Sequence, residues 1–386
     1  MAQRGPSVSW MQRYVAETLL RTILLPLCRV IWKVRLHPDS KRLPTDEACF
    51  VYGPHSHNFD PFFLNMYTPW YQGTRGVMTR EYLRQGISSW IMHGIGLLPT
   101  AKRIPEPHVI RGVLGMLRDR KQVVIYPEGG RRWDGRAAPW IESTAKLFHR
   151  AGVPIYPVVV HGGYLGWPRW ATFPRPSRLE VEILAPIRLT KEMSYDDVLE
   201  QLNEVMNGDE ADAPAHLRPK WAYKPAAGVE RIIYRDPDSG RFNAVSSPDG
   251  TTVCVNDAPR WKMHPDSSLE DLSTGERTTV SYWYERVRNL ALPTDGSLLA
   301  ENVVEISRET VFPAIDRLGE GTAKLFVDRI ELSGSLDRTI LGRDILYTGI
   351  ERNRKLQVFL DGEMIELHFT RDGSALGWEH VLGAGA

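Results

Sequence analysis

The sequence predicts an α/β domain, with a mixed sheet covered by helices, followed by a mainly β region. Short β-rich runs alternate with helical stretches between residues 48 and 189, which is typical of a sheet covered by helices. Beyond residue 229, apolar runs are instead separated by Asp-Gly or Ser-Gly turns. At 386 residues, the chain is long enough for two or three domains of about 150 residues each.

The N-terminal segment, residues 1–44, is basic and contains an amphipathic helical pattern. Eight Lys or Arg residues less two acids give it a charge of +6, which suits a helix lying in a membrane interface. A helix packed on its own domain would show the same pattern. Between residues 14 and 34 the longest uncharged run, residues 22–28, is far shorter than the roughly 20 residues that a transmembrane helix needs. The apolar residues at helical spacing are Val15, Leu19, Leu20, Ile23, Leu24, Leu27, Val30, Ile31 and Val34.

Residues 45–207 are predicted to form the α/β domain. Its strands are expected at residues 49–52, 76–78, 97–99, 123–126, 155–160 and 179–184. Its helices are expected at residues 80–92, 107–119, 141–151 and 195–206. The last helix should end at Asn207 and Gly208, because these residue types favour the backbone conformation of a helix C-terminus.

The rest of the chain is predicted to be a boundary segment and a mainly β accessory region. Residues 208–228 are rich in Ala, Pro and charge and lack periodicity, which is typical of a linker. Within residues 229–386, a hairpin turn is expected at Asp361-Gly362 and an amphipathic helix at residues 282–290. Strands are expected at residues 229–234, 251–255, 324–327, 356–360 and 365–369.

The composition excludes several classes of protein. Charged residues make up 25% and hydrophobic residues 42% of the chain, as in ordinary globular proteins. The 48 basic and 47 acidic side chains leave a net charge of +1, so no nucleic-acid partner is expected. The three cysteines, Cys28, Cys49 and Cys254, lie far apart, so neither a disulfide framework nor a zinc ribbon is expected.

The first candidates for chemistry are His55 and Asp60, which follow the predicted strand at residues 49–52. A turn entering a short helix can bring the Asp60 carboxylate back onto the His55 imidazole. The carboxylate then fixes the tautomer, and the other ring nitrogen can accept a proton from a hydroxyl. Alternatively, Asp60 caps a helix that begins at Pro61, and His55 is only its neighbour.

A second group of candidates follows the predicted strand at residues 123–126. Arg131 and Arg132 can present planar donor groups to a phosphate, and Glu128 can position an arginine or accept from a hydroxyl. The glycines of this segment permit close approach of the backbone, which is the reason to include Gly129. Alternatively, the segment is a β-turn whose arginines lie on a solvated face.

Two further segments end strands of the same domain. Lys102 and Arg103 follow the strand at residues 97–99 and could join the same anion site, or lie on a surface loop. His161 ends the apolar run at residues 155–160, where a structural role is the simpler interpretation.

In this order, the segments resemble the sequence blocks of the glycerolipid acyltransferase family, which includes lysophosphatidic acid acyltransferases. Residues 55–60 (HSHNFD) resemble its His-x4-Asp block, and residues 126–131 (YPEGGR) its Phe-Pro-Glu-Gly-Thr-Arg block. Residues 96–103 and 153–160 resemble two further blocks, so the resemblance covers roughly residues 12–207. Gly130 stands where the family usually has Thr. The block at residues 96–103 carries one extra residue, so its cation is Arg103 or Lys102.

The resemblance implies an O-acyltransferase in which His55 is the general base and Asp60 orients it. The donor would be a fatty acyl thioester of coenzyme A or of acyl carrier protein, with no metal and no other cofactor. The phosphate of the acceptor would be held, and its hydroxyl positioned, by Glu128, Gly129, Arg131 and Arg103.

The resemblance also implies a peripheral protein at the cytoplasmic face of a membrane. Its acceptor would be a lysophospholipid, above all 1-acylglycerol-3-phosphate, which would give phosphatidic acid. Another lipid or glycolipid acceptor fits the same residues, as does a non-catalytic lipid-binding protein on the same fold. A metal-dependent hydrolase with His55 and His57 as ligands is the last alternative, but further ligands at suitable spacing are not evident.

For residues 229–386 the resemblance is to C-terminal extensions of bacterial family members. These extensions carry a zinc ribbon followed by a small β domain of pleckstrin-homology or GRAM-like type. Residues 229–264 resemble such a ribbon without its metal ligands, and the small β domain would occupy about residues 296–386. A metal-free module that docks or stabilises is therefore expected.

Overall fold

The computed structural model describes residues 8–84, 86–100, 106–311 and 314–384. These residues form two compact units. The first comprises the described parts of Met1–Arg169 and Arg175–Trp221, and the second those of Trp170–Pro174 and Ala222–Ala386. Arg103 and Lys102, the cations expected after the strand at residues 97–99, lie outside the described residues.

The first unit is an α/β unit. Its strands are β1 (Arg35–Leu36), β2 (Cys49–Tyr52), β3 (Arg75–Thr79), β4 (Leu97–Thr100), β5 (Gln122–Val124), β6 (Ile155–His161) and β7 (Glu180–Ile183). Its helices are α1 (Trp10–Leu19), α2 (Leu25–Trp32), α3 (Asp60–Phe63), α4 (Gly86–Gly94), α5 (Pro107–Arg118), α6 (Glu142–Ala151), α7 (Gly163–Gly166) and α8 (Tyr195–Asn203). Each strand predicted for this domain is present.

These strands form one mixed sheet in the order β1-β7-β6-β2-β5-β3-β4. β6, β2, β5, β3 and β4 run parallel, whereas β7 is antiparallel to β6. The alternation of side chains along β2 supplies both cores. Phe50 and Tyr52 pack with Phe148 of α6 on one face, and Val51 packs with Trp32 of α2 on the other. Helices therefore cover both faces of the sheet, as predicted.

The N-terminal helical pattern forms two α-helices joined by a π-helical turn at Leu20–Leu24. The Leu25 N–H donates to Leu20 O, five residues back, which is the wider spacing of a π-turn. This turn lies just before Pro26, which has no N–H to continue the α-helical pattern. Among the described residues, no helix is both long enough and apolar enough to cross a membrane.

The helix predicted at residues 80–92 is interrupted. A 3-10 turn at Arg80–Leu83 precedes α4, so the prediction of an α-helix over these first residues was wrong. Gly86, with φ of +91°, begins α4 and separates the two elements.

The second unit is mainly β. Strands β8 (Val245–Ser246), β9 (Thr252–Val255), β10 (Ala258–Met263), β11 (Ser268–Asp271) and β12 (Arg277–Thr279) form an antiparallel sheet, followed by α9 (Val280–Asn289). A second antiparallel sheet contains β13 (Ala300–Glu309), β14 (Asp316–Leu325), β15 (Arg329–Gly334), β16 (Arg338–Leu341), β17 (Tyr347–Glu351), β18 (Lys355–Leu360) and β19 (Glu363–Phe369). Its order is β16-β15-β14-β13-β19-β18-β17, and helix α10 (Ala375–Ala384) follows it in the chain.

Two predictions for this unit have opposite outcomes. The hairpin at Asp361-Gly362 is confirmed, because Leu360 pairs with Glu363 across it. The strand predicted at residues 229–234 is wrong, because Val229–Arg231 is a 3-10 turn. Ile232 and Ile233 are fully buried after this turn, so their apolar character reflects burial and not sheet pairing.

Candidate active site

The candidate site lies where two neighbouring parallel strands end. His55 follows β2 and Tyr126 follows β5, and their rings stack with centroids 4.2 Å apart. Gly53 permits the chain to leave β2 at this point, because a Cβ there would lie 1.9 Å from Val158 O. Carboxyl ends of parallel strands are the usual position of ligand sites in α/β sheets.

The structure brings His55 and Asp60 together. His55 Nδ1 lies 3.1 Å from Asp60 Oδ2, which also accepts hydrogen bonds from the main-chain N–H groups of Ser56 and His57 at 2.9 and 2.8 Å. The carboxylate side chain is 1% exposed and the imidazole 19%. Burial raises the pKa of Asp60 to about 7, against the lowering effect of these N–H donors and of the nearby arginines. With Nδ1 held by Asp60, Nε2 is the ring nitrogen that can exchange a proton with a bound hydroxyl.

His55 and Asp60 form a dyad, and His57 is part of the core and not of this dyad. Its ring is fully buried against Trp32 and Phe63, and its Nδ1 accepts from the Phe59 N–H at 3.2 Å. Burial, more than the charge of Arg131, holds the pKa of His57 well below its usual value, so the ring is neutral. Across the described ranges, no three His, Cys, Asp or Glu side chains are grouped so that they could hold a metal ion.

The loop after β5 divides its two arginines between different tasks. Arg132 is buried and forms an ion pair with Glu128, at 2.6 Å between Nη2 and Oε1. Its Nη1 donates to Gly208 O at 3.0 Å, and its main-chain N–H donates to His55 O at 2.8 Å. Arg132 and Glu128 therefore hold the loop in place behind the dyad.

Arg131, the other arginine of this loop, is a cation near the dyad. Its Nη1 lies 3.4 Å from Trp167 O, and its main-chain O accepts from Arg169 Nη1 at 2.6 Å. Burial, and then the positive charge of Arg169, lower the pKa of Arg131 to about 10. Two partly buried cations that repel each other are suited to binding an anion. Arg169 was not predicted from the sequence, because it lies outside the four blocks and no spacing marks it.

Gly129 adopts a conformation that favours glycine. Its φ is +68°, and a Cβ at this position would lie 2.5 Å from Cδ1 of Ile141. Its position in the loop therefore has a structural reason independent of any ligand.

A residue from the expected linker also reaches the site. Glu210 lies with its carboxyl 3.5 Å from Arg132 Nη1, and its main-chain N–H donates to Gly135 O at 3.1 Å. Burial raises the pKa of Glu210 to about 8. No sequence signal marked Glu210, because residues 208–228 lack periodicity.

Parts of this chain are similar to known proteins. A model of the Acyltransferase family matches residues 34–161, the part that contains the dyad and the loop after β5. The 1-acyl-sn-glycerol-3-phosphate acyltransferases of Limnanthes alba and Limnanthes douglasii are 24% identical over 178 residues, which is 45% of this chain. The matched region spans 62% of the length of these plant relatives. Among solved structures, the 1-acyl-sn-glycerophosphate acyltransferase of Thermotoga maritima matches 50% of this chain and 78% of its own, with 16% identity and a TM-score of 0.42.

The family match identifies residues 34–161 of the first unit as an acyltransferase domain. These residues contain the four sequence blocks that resemble the glycerolipid acyltransferase family.

Proposed function

We propose that the protein is a membrane-associated O-acyltransferase that moves a fatty acyl group from a thioester to the free hydroxyl of a lysophospholipid. The observation that carries this proposal is the contact between His55 and Asp60 beside the partly buried cation of Arg131. The preferred acceptor is 1-acylglycerol-3-phosphate, because its phosphate suits Arg131 and Arg169 and its hydroxyl suits a histidine base. The product would be phosphatidic acid.

The proposed reaction uses His55 twice. Nε2 of His55 accepts the proton of the acceptor hydroxyl while the oxygen attacks the thioester carbonyl carbon. Asp60 favours the imidazolium that results. The tetrahedral intermediate then expels the thiolate, which takes the proton from His55, so that an ester and a free thiol are formed and the base is restored. The donor is acyl-CoA or acyl carrier protein thioester, and the chain's own residues require no metal or other cofactor for these steps.

Exposed apolar side chains in the N-terminal segment support the membrane part of the proposal. Leu20 and Trp32 are buried in the unit, whereas other apolar residues of the same helices face solvent. We define the N-terminal apolar surface by its members' exposed fractions: Trp10 81%, Met11 61%, Tyr14 62%, Ile23 61%, Leu27 53% and Val30 76%. The side chains of Arg13, Arg29 and Lys33 are also exposed, which favours an anionic lipid surface such as the cytoplasmic face of a membrane.

The test is release of free thiol from acyl-CoA and from acyl carrier protein thioesters, with and without lysophosphatidic acid. We expect release that depends on the acceptor and falls by about 100-fold or more in His55→Ala. The melting temperature of this variant should stay close to that of the wild type. Equal release by His55→Ala would refute the assigned base. Release that requires a different lipid would reassign the acceptor, and binding of lysolipid without release from any donor would support a non-catalytic role.

A further inference from the structure

Glu210 has surroundings that the proposed reaction does not explain. It follows α8 in a segment without regular structure, yet its side chain is only 11% exposed. The segment is fixed there by Arg132, which donates to Gly208 O at 3.0 Å, and by the bond from the Glu210 N–H to Gly135 O at 3.1 Å. A carboxyl group is therefore carried into the interior next to a loop that also holds the dyad.

Ser56 connects Glu210 with the dyad. The main-chain N–H of Ser56 donates to Asp60 Oδ2 at 2.9 Å. Its hydroxyl lies beside the Glu210 carboxyl, outside hydrogen-bonding geometry but close enough to favour the ionised carboxylate. In the part of the chain that the structure describes, Ser56 Oγ, Asp60 Oδ1 and Glu210 Oε2 are buried and have no hydrogen-bond partner. Unpaired oxygens of two buried carboxyl groups are costly, and the cost falls when a carboxyl group holds a proton.

The charges around Glu210 come from three parts of the fold. Arg132 and Glu128, in the loop after β5, act on the Glu210 carboxyl, and so does Asp60, the first residue of α3. Arg132 favours the ionised form of Glu210, whereas the two carboxyl groups and burial favour the protonated form. The balance raises the pKa of Glu210 to about 8, so this carboxyl group changes its charge near neutral pH.

We propose that Glu210 is a positioning residue that controls the basicity of His55 by acting through Ser56 and Asp60. When Glu210 is ionised, a second negative charge stands behind Asp60 and favours the imidazolium form of His55. When Glu210 is protonated, Asp60 alone supports the imidazolium, and His55 is a weaker base. As a contribution to catalysis, this inference rests on the proposed function, but the electrostatic coupling can be measured without substrate.

The first experiment is a nuclear magnetic resonance titration of the full-length protein with isotopically labelled histidine, in which His55→Ala assigns the His55 signal. Glu210 is protonated below about pH 8, so in the wild type we expect the His55 signal to show a second inflection near pH 8, where Glu210 ionises, and we expect Glu210→Gln to lack it. Ser56→Ala should move this inflection to higher pH, because the Ser56 hydroxyl favours the ionised carboxylate, and it serves as the second variant if Glu210→Gln does not fold. The control is Asp212→Asn, whose carboxylate side chain is 85% exposed in the same segment and should leave the titration unchanged. A wild type without the second inflection, or an inflection that neither Glu210→Gln nor Ser56→Ala alters, overturns the inference.

The second experiment is the pH dependence of thiol release. We expect two ionisations on the rising side of the profile for the wild type and one for Glu210→Gln, whose kcat should fall about tenfold above pH 8. Glu210→Asp keeps a titratable group and should restore the second ionisation. A profile of Glu210→Gln with the same shape as that of the wild type refutes the role in catalysis. If the wild type releases no thiol with any acceptor while Glu210→Gln still removes the second His55 inflection, the proposed function fails and the coupling stands.

Discussion

Glu128 and Arg132 form an ion pair inside the domain, at 2.6 Å, with both side chains fully buried. Glu128 Oε1 also accepts from the main-chain N–H of Ala138 at 3.3 Å, so it joins two parts of the loop after β5. Arg132 in turn donates its main-chain N–H to His55 O at 2.8 Å. In this arrangement Glu128 stabilises the loop next to the dyad. Arg131 is therefore a better candidate than Glu128 for binding a phosphate.

The ion pair leads to the first prediction, which concerns stability. Arg132→Ala should lower the free energy of unfolding by about 3–5 kcal/mol, because it leaves the Glu128 carboxylate buried without its partner. Replacing both residues, as in Glu128→Gln with Arg132→Met, should cost less than the sum of the two single changes, since no unpaired charge then remains. Urea unfolding of the single and double variants measures these values. Strictly additive effects would show that the two side chains are not coupled.

The second prediction concerns Arg131 and Arg169. If these cations hold the acceptor phosphate, Arg131→Ala and Arg169→Ala should raise KM for lysophosphatidic acid by about tenfold or more, because charge-assisted hydrogen bonds are lost. KM for the acyl donor should change little. Steady-state thiol release at varied acceptor concentration gives both constants. The matched control is Arg150→Ala, an exposed arginine of α6.

An acceptor without a phosphate separates this prediction from general damage. With a neutral monoacylglycerol as acceptor, wild type and Arg131→Ala should have similar KM values. If Arg131→Ala impairs both acceptors equally, Arg131 supports the fold of the loop and does not bind the phosphate.

The sequence predicted the dyad better than it predicted the rest of the site. The contact between His55 and Asp60 could be predicted because the two residues are close in sequence and a single turn joins them. Arg169 and Glu210 come from other parts of the chain. They reach the candidate site because residues 167–170 and 208–210 fold back toward it. Local spacing contains no information on such long-range contacts.

The same distinction explains the results for the strands. In the first unit, β2, β5 and β6 are short, mostly apolar runs, typical of strands buried on both faces, and each was predicted. β1 is a two-residue exposed strand and was not predicted. In the second unit, β13 has alternating buried and exposed side chains and many charged residues, so it lacked the apolar run that the prediction required. The run at residues 229–234 had this apolar character and forms a buried turn instead. An apolar run indicates that a segment is buried. Whether that buried segment is a strand depends on whether it pairs with a neighbouring strand.

The third prediction tests why glycine stands at position 129. Gly129→Ala should lower the free energy of unfolding by roughly 1–3 kcal/mol, because alanine is strained at positive φ and its Cβ approaches Ile141. Gly152→Ala is the control, since Gly152 has φ of +63° and a Cβ there would meet nothing within 4 Å. Its cost should be about 1 kcal/mol, the conformational part alone. Equal costs measured by urea unfolding would mean that Ile141 moves aside without a penalty.

The fourth prediction concerns the N-terminal apolar surface. Deleting residues 1–35 would also remove Leu20 and Trp32, which are 4% and 2% exposed in the core, so a deletion cannot separate binding from folding. Replacing Ile23, Leu27 and Val30 by serine changes only exposed side chains and should leave the melting temperature nearly unchanged. Each of these residues buries apolar area if it enters a bilayer, at about 25 cal/mol per Å². Flotation with vesicles that contain phosphatidylglycerol should therefore fall at least tenfold in the triple variant.

Two controls determine what the flotation experiment means. Leu346→Ser changes an exposed apolar side chain of the second unit, 66% exposed, and should not reduce flotation. Vesicles of phosphatidylcholine alone should bind the wild type more weakly, because the exposed Arg13, Arg29 and Lys33 then lack anionic partners. If the triple serine variant floats as well as the wild type, these side chains do not contact the bilayer. Loss of flotation in Leu346→Ser instead would move the membrane contact to the second unit.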